Sequence, residues 1–141
     1  NWNKDNVSFV VKDNVLIIKS VKDDYAPVTI LCPSFSSLTA DSSNVYIAVA
    51  LKNSTINAKS QSGISIAADA DSLTLNIERD GSVSLHNSTI RKLSLHMHNG
   101  AELKTDEANI LQFGNLLIED SATVNLGGKA MKSLLDHTTK E

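Results

Sequence analysis

Four side chains in this sequence have the types and the spacing to act together. Glu78, His98 and Glu119 each follow directly on an apolar pair, Leu75/Ile77, Leu95/Met97 and Leu116/Ile118, and His96 lies two residues before His98. An imidazole between carboxylates can shuttle a proton near neutral pH, where unperturbed histidine titrates. Two histidines two apart on a strand point the same way and can chelate a divalent cation. Each chemistry makes further demands. Acid–base catalysis needs a concave site that holds a substrate, and a selective metal site needs more ligands, oriented by partners of their own. His86 follows Leu85 and falls on a different face, while His137 lies in the C-terminal tail. The sequence therefore assigns no catalytic residue, no metal site and no cofactor. Glu78, His96, His98 and Glu119 read as an outward ladder that contacts a partner.

That ladder is longer than its chemically interesting members. Asp41, Lys59, Glu78, His98 and Glu119 occupy one phase of a repeat. On parallel strands stacked ~4.8 Å apart, these neighbours reach one another, and the mostly alternating signs make the contacts favourable. Even without a ligand, such a ladder would help to fix register, each exposed pair contributing little.

The elements that must position the ladder are marked by apolar pairs with one residue between them, the period of a strand with one buried face. They form three columns. The first runs Leu38/Ala40, Ile56/Ala58, Leu75/Ile77, Leu95/Met97 and Leu116/Ile118, in steps of 18, 19, 20 and 21 residues. The second runs Val45/Ile47, Ile64/Ile66, Val83/Leu85, Leu103/Thr105 and Val124/Leu126, in steps of 19, 19, 20 and 21. A third, Leu51, Ala70, Ile90 and Ile110, steps by 19, 20 and 20. Self-similarity at a period near twenty is the mark of a solenoid, and the period is too short for helical repeats. Between the first two columns fall Asp41-Ser42-Ser43-Asn44, Ser60-Gln61-Ser62-Gly63, Glu78-Arg79-Asp80-Gly81, His98-Asn99-Gly100 and Glu119-Asp120-Ser121, all rich in residues that suit turns. The fold this predicts is all-β: a short, three-sided parallel β-helix of about five coils, right-handed by the general chirality of parallel crossovers.

Both ends need closing, because an open solenoid exposes strand edges and core. Residues 1–37 are expected to supply an N-terminal hairpin cap and a lead-in strand. Val7, Phe9 and Val11 alternate, Asp13-Asn14 turns, and Val15 to Ile18 returns. Trp2 and Tyr25 are expected in the lid, Lys22 to Pro27 as a connector, and Val28 to Cys32 as an extended strand with Cys32 buried. Coils occupy 38–128, and 129–141 is a tail or cap in which Ala130, Met131, Leu134 and Leu135 form one face of a short helix or the chain frays. The whole reads as one domain, 1–141.

Asn99-Gly100-Ala101-Glu102-Leu103-Lys104, Asp120-Ser121-Ala122-Thr123-Val124-Asn125-Leu126 and Asp80-Gly81-Ser82-Val83-Ser84-Leu85 resemble a Ser-Gly-Ala-Ser-x-Val-x-Leu repeat. That repeat belongs to the autotransporter adhesin head GIN domain family of Bacteroidetes. Val28-Thr-Ile-Leu-Cys-Pro-Ser-Phe-Ser-Ser-Leu38 is similar to the same family's approach to its first coil. No copy here keeps the full Ser-Gly-Ala-Ser core. The resemblance implies a right-handed β-helix, export to the cell envelope, and no established activity.

Bulk properties narrow the function further. Net charge is -3 and the sequence pI about 5.8, with basic residues scattered, which argues against nucleic acid. No apolar run reaches the length of a membrane span. One cysteine allows no internal disulfide. Asn6-Val-Ser, Asn53-Ser-Thr and Asn87-Ser-Thr match a glycosylation acceptor pattern that arises by chance in a chain rich in these residues. Coils of 18 to 21 residues leave no room for loops that wall a cleft, and Gly-x-Ser-x-Gly, Walker A and His-Glu-x-x-His are missing. The expectation is a noncatalytic envelope or surface domain, adhesin-like or structural, whose partner is a surface glycan or a protein. Two alternatives stand beside it: a carbohydrate-active enzyme using Glu78, His98 and Glu119, and a module that self-assembles into a homo-oligomer through its ends.

Overall fold

A computed structural model describes residues 7–20, 28–119 and 121–139. Trp2, Tyr25 and the connector Lys22 to Pro27 lie outside the described residues. Residues 1–31 and 32–141 form two compact units.

In the first unit, β1 (Val7–Lys12) and β2 (Val15–Ser20) pair antiparallel, with Phe9 opposite Ile18 and Val11 opposite Leu16. Asp13 and Asn14 close the hairpin with φ of 52° and 63°. Two left-handed central residues define the mirror-image turn whose twist matches that of the strands, and Asp and Asn tolerate that region best among non-glycines. Val28 to Cys32, expected to be extended and paired, belongs to no strand. Leu31 is 93% exposed and Cys32 is half-buried rather than buried. Among the described residues no strand pairs with this segment, and Pro33 removes a backbone donor at its end.

The second unit is a parallel β-solenoid of about five turns. One sheet stacks β3 (Ser37–Asp41), β5 (Leu51–Lys59), β7 (Ala70–Ile77) and β9 (Thr89–Met97), with β11 (Asn109–Ile110) and β12 (Phe113–Ile118) both on β9. The other stacks β4 (Asn44–Ile47), β6 (Gly63–Ile66), β8 (Ser82–Leu85), β10 (Glu102–Lys104) and β13 (Thr123–Asn125). All three predicted columns are in register. Leu38 pairs with Ile56, Ile56 with Leu75, Leu75 with Leu95, and Leu95 with Leu116. Val45, Ile64, Val83, Leu103 and Val124 follow one another likewise, as do Leu51, Ala70, Ile90 and Ile110.

The third and first columns share a strand. In β7, Ala70 and Leu73 are both buried although three apart, with Asp71 and Ser72 between them facing outward. Strict alternation would put those two on opposite faces, so the strand turns a corner at Asp71-Ser72. β5 does the same at Lys52-Asn53 and β9 at Arg91-Lys92. The corner reveals a further buried column, Ser54, Leu73, Leu93 and Phe113.

The opposite corners repeat a single turn. Lys59, Glu78, His98 and Glu119 each accept a hydrogen bond from the backbone N–H three residues on, at 3.0 to 3.3 Å. The central residues Ser60-Gln61, Arg79-Asp80 and Asn99-Gly100 all have positive φ. The next position is Ser62, Gly81, Ala101 or Ala122, always small, and at the second turn it is tight enough that a Cβ on Gly81 would stand 2.8 Å from the Ala58 carbonyl oxygen. The ladder residues are thus the first residues of stacked turns, held in place by backbone.

At the C-terminal end the regularity relaxes. Leu93–Leu95 spans two residues and Phe113–Leu116 three, a bulge at Gly114-Asn115 that accounts for the last step of 21. Ile118, expected inside, is 46% exposed because no rung follows it. Helix α1 (Gly128–Thr139) forms and packs on β11 and β12. Ala130 is buried, Leu134 is half-buried, and Ser133 Oγ donates to the Ile110 carbonyl, whereas Met131 and Leu135 remain exposed.

Candidate functional site

Outward positions of the β3-β5-β7-β9 sheet form three parallel columns because every inward residue between them is fixed by the core. Hydroxyls make the first: Ser37, Thr55, Thr74 and Ser94. Thr39, Asn57, Asn76 and His96 make the second, continued by Leu117. Ionic side chains at the turn make the third: Asp41, Lys59, Glu78, His98 and Glu119.

The second column is bonded along its length. Asn57 Nδ2 donates to Thr39 Oγ1 at 3.1 Å, and Asn76 Nδ2 donates to Asn57 Oδ1 at 2.8 Å. Each amide uses one donor on the rung before it, so its remaining N–H and lone pairs keep a fixed direction. Nothing in the composition marks this; it emerges only when the 18- and 19-residue steps are laid side by side.

In the ionic column, Glu78 is the centre. Its Oε1 is 3.9 Å from Lys59 Nζ and its Oε2 is 3.3 Å from His98 Nε2. The other ring nitrogen of His98 is 3.0 Å from Asn99 Nδ2. Glu119 occupies its predicted rung, with its N–H bonded to the Met97 carbonyl at 2.8 Å, yet its carboxylate joins no ion pair among the described residues. His96 stands in the amide column, beside Asn76 and Leu117 in register, rather than with Glu78. Of the four predicted site residues, the structure therefore pairs Glu78 with His98 and leaves His96 and Glu119 as neighbours in the array. Among the described residues, no group of three or more His, Cys, Asp or Glu is placed to hold a metal ion.

The sequence reading missed a second histidine–carboxylate pair. His86 Nδ1 lies 3.5 Å from Asp106 Oδ2, one rung on, and the two line a shallow depression with Asn87 and Glu107. The twenty-residue spacing that aligned the other columns applies equally here. At the strand corner, Arg91 Nε is 3.5 Å from Asp71 Oδ1, both well exposed. Among the described residues, no helix is long and apolar enough to cross a membrane. Comparison with family models, with curated proteins and with solved structures finds nothing that matches this chain.

Proposed function

We propose that this chain is a noncatalytic binding module of the cell surface or envelope, adhesin-like or structural in role, contacting a surface glycan or protein through its three-column face. The observation that supports this reading is the bonded amide column Thr39–Asn57–Asn76, flanked by hydroxyls on one side and by Lys59, Glu78 and His98 on the other. Side chains already held by one another lose little rotamer freedom on binding, which removes part of the entropic cost of recognition. An ordered, flat set of polar groups suits contact by many hydrogen bonds, whereas chemistry on a bond needs reacting groups enclosed around it. Export to the envelope rests on the resemblance of the Asp-Ser-Ala and Asn-Gly-Ala segments to the adhesin head family.

A binding screen against glycans and surface-protein extracts, run beside a glycan-cleavage screen, tests the reading. The expected result is binding that weakens in Asn76→Leu and His98→Ala, with no turnover in the parent chain. Turnover that disappears in Glu78→Gln and Glu119→Gln would replace the module by an enzyme.

A further inference from the structure

The second sheet has an outward face of different character, independent of the three-column face. Its first three rungs carry Asn44 and Tyr46, then Gly63 and Ser65, then Ser82 and Ser84, in register and without a charged residue. Tyr46 is 69% exposed. Beyond its ring the shelf is low, since the next two rungs present only hydroxyls and a glycine. The Gly63 position is covered by the carboxamide of Asn44, whose Oδ1 lies 2.7 Å from where a Cβ would be. On the fourth rung Glu102 and Lys104 pair with one another at 3.5 Å and close the neutral strip.

We propose that this strip is a binding shelf for a neutral polysaccharide, with Tyr46 as its stacking platform. A pyranose presents an apolar C–H face and a rim of hydroxyls. An exposed tyrosine offers a rigid apolar face at small entropic cost, and Ser65, Ser82, Ser84 and Asn44 supply donors and acceptors around it. At ~4.8 Å per rung, Tyr46 to Ser84 spans about 10 Å, room for a short oligosaccharide lying along the solenoid axis. The lack of charge disfavours acidic polymers and phosphates, which select for Arg and Lys. Small residues matter as much as the ring, because a long side chain at Ser65 would occupy the place of the sugar.

Affinity electrophoresis through gels containing xylan, laminarin, galactomannan or pullulan, with polygalacturonate as the charged control, tests the shelf. The expected result is retardation by at least one neutral polymer and none by polygalacturonate. Tyr46→Ala and Ser65→Arg should each weaken that retardation at least tenfold without moving the melting temperature, while Tyr46→Trp keeps it. If no neutral polymer retards the parent chain, or if both shelf variants bind like it, the proposal is overturned. In the second case, loss of binding in Asn76→Leu would assign the contact to the three-column face instead.

Discussion

The buried hydroxyl of Ser88 donates to the His86 carbonyl at 2.7 Å and accepts from the Ala68 amide at 3.1 Å. Alanine at this position leaves that N–H without a partner in an apolar interior, at a cost of about 1–3 kcal/mol. A urea melt of Ser88→Ala should show a lower midpoint with an unchanged slope. Glu78 is the contrasting case, since both its partners and its own carboxylate are partly solvated. Glu78→Gln is expected to shift stability by no more than about 1 kcal/mol, measured in the same melt. The chemically conspicuous residues are therefore the less costly ones to lose for folding. This was only half legible in the sequence. The position of Glu78, His98 and Glu119 on one ladder followed from backbone register, which the apolar pairs fix. Which of them touch did not, because side-chain pairing depends on rotamers and on the bulge before Glu119. Ser54, Leu73, Leu93 and Phe113 were missed as a column because a polar residue begins it: its steps of 19, 20 and 20 are as regular as those of the other columns, but Ser54 carries no apolar signal and each member sits three residues after a third-column residue rather than two.

At the scale of elements, the repeated turn sets the geometry of the ladder, and its sequence is not optimal for its shape. Asn99-Gly100 fits a turn with two left-handed residues, at φ of 54° and 77°, while Ser60-Gln61 occupies the same left-handed region, at 49° and 66°, without glycine. A non-glycine residue in this region costs roughly 1–2 kcal/mol, partly offset by the lower chain entropy it brings to the unfolded state. Gln61→Gly should therefore raise the melting temperature slightly, by the equivalent of about 0.5 kcal/mol. Gly81→Ala should act in the opposite direction, because its Cβ would meet the Ala58 and Glu78 carbonyl oxygens at 2.8 and 3.0 Å, and backbone cannot step aside as a side-chain tip can. Overpacking of that kind costs about 1–3 kcal/mol, and thermal melts of the two variants should separate in sign. Turn placement was legible because Gly, Asn, Asp and Ser recur at one phase. The failure at Val28–Cys32 has the complementary cause: alternation alone reads as a strand, but a strand exists only where another offers its backbone.

A solenoid is held together by contacts between adjacent turns, so its stability is distributed along the axis rather than concentrated in one centre. Interior rungs have a neighbour on each side: Leu75 and Leu95 are packed between other columns and fully enclosed. The last rung has one, and Leu116, Val124 and Leu126 are accordingly only half-buried. Helix α1 partly offsets this at the C-terminal end by burying Ala130 and bonding Ser133 to the Ile110 carbonyl across β11. Removing residues 128–141 takes that cover from β11 and β12 while leaving the contacts of β5, β7 and β9 with one another intact. Native-state hydrogen exchange on the truncated chain should then show a graded response. Amides of β12 and β11 lose protection most, those of β9 less, and those of β5 and β7 keep protection close to the full-length value. A uniform loss across all rungs would mean that the turns unfold as one cooperative block, and the nearest-neighbour picture of this solenoid would be wrong.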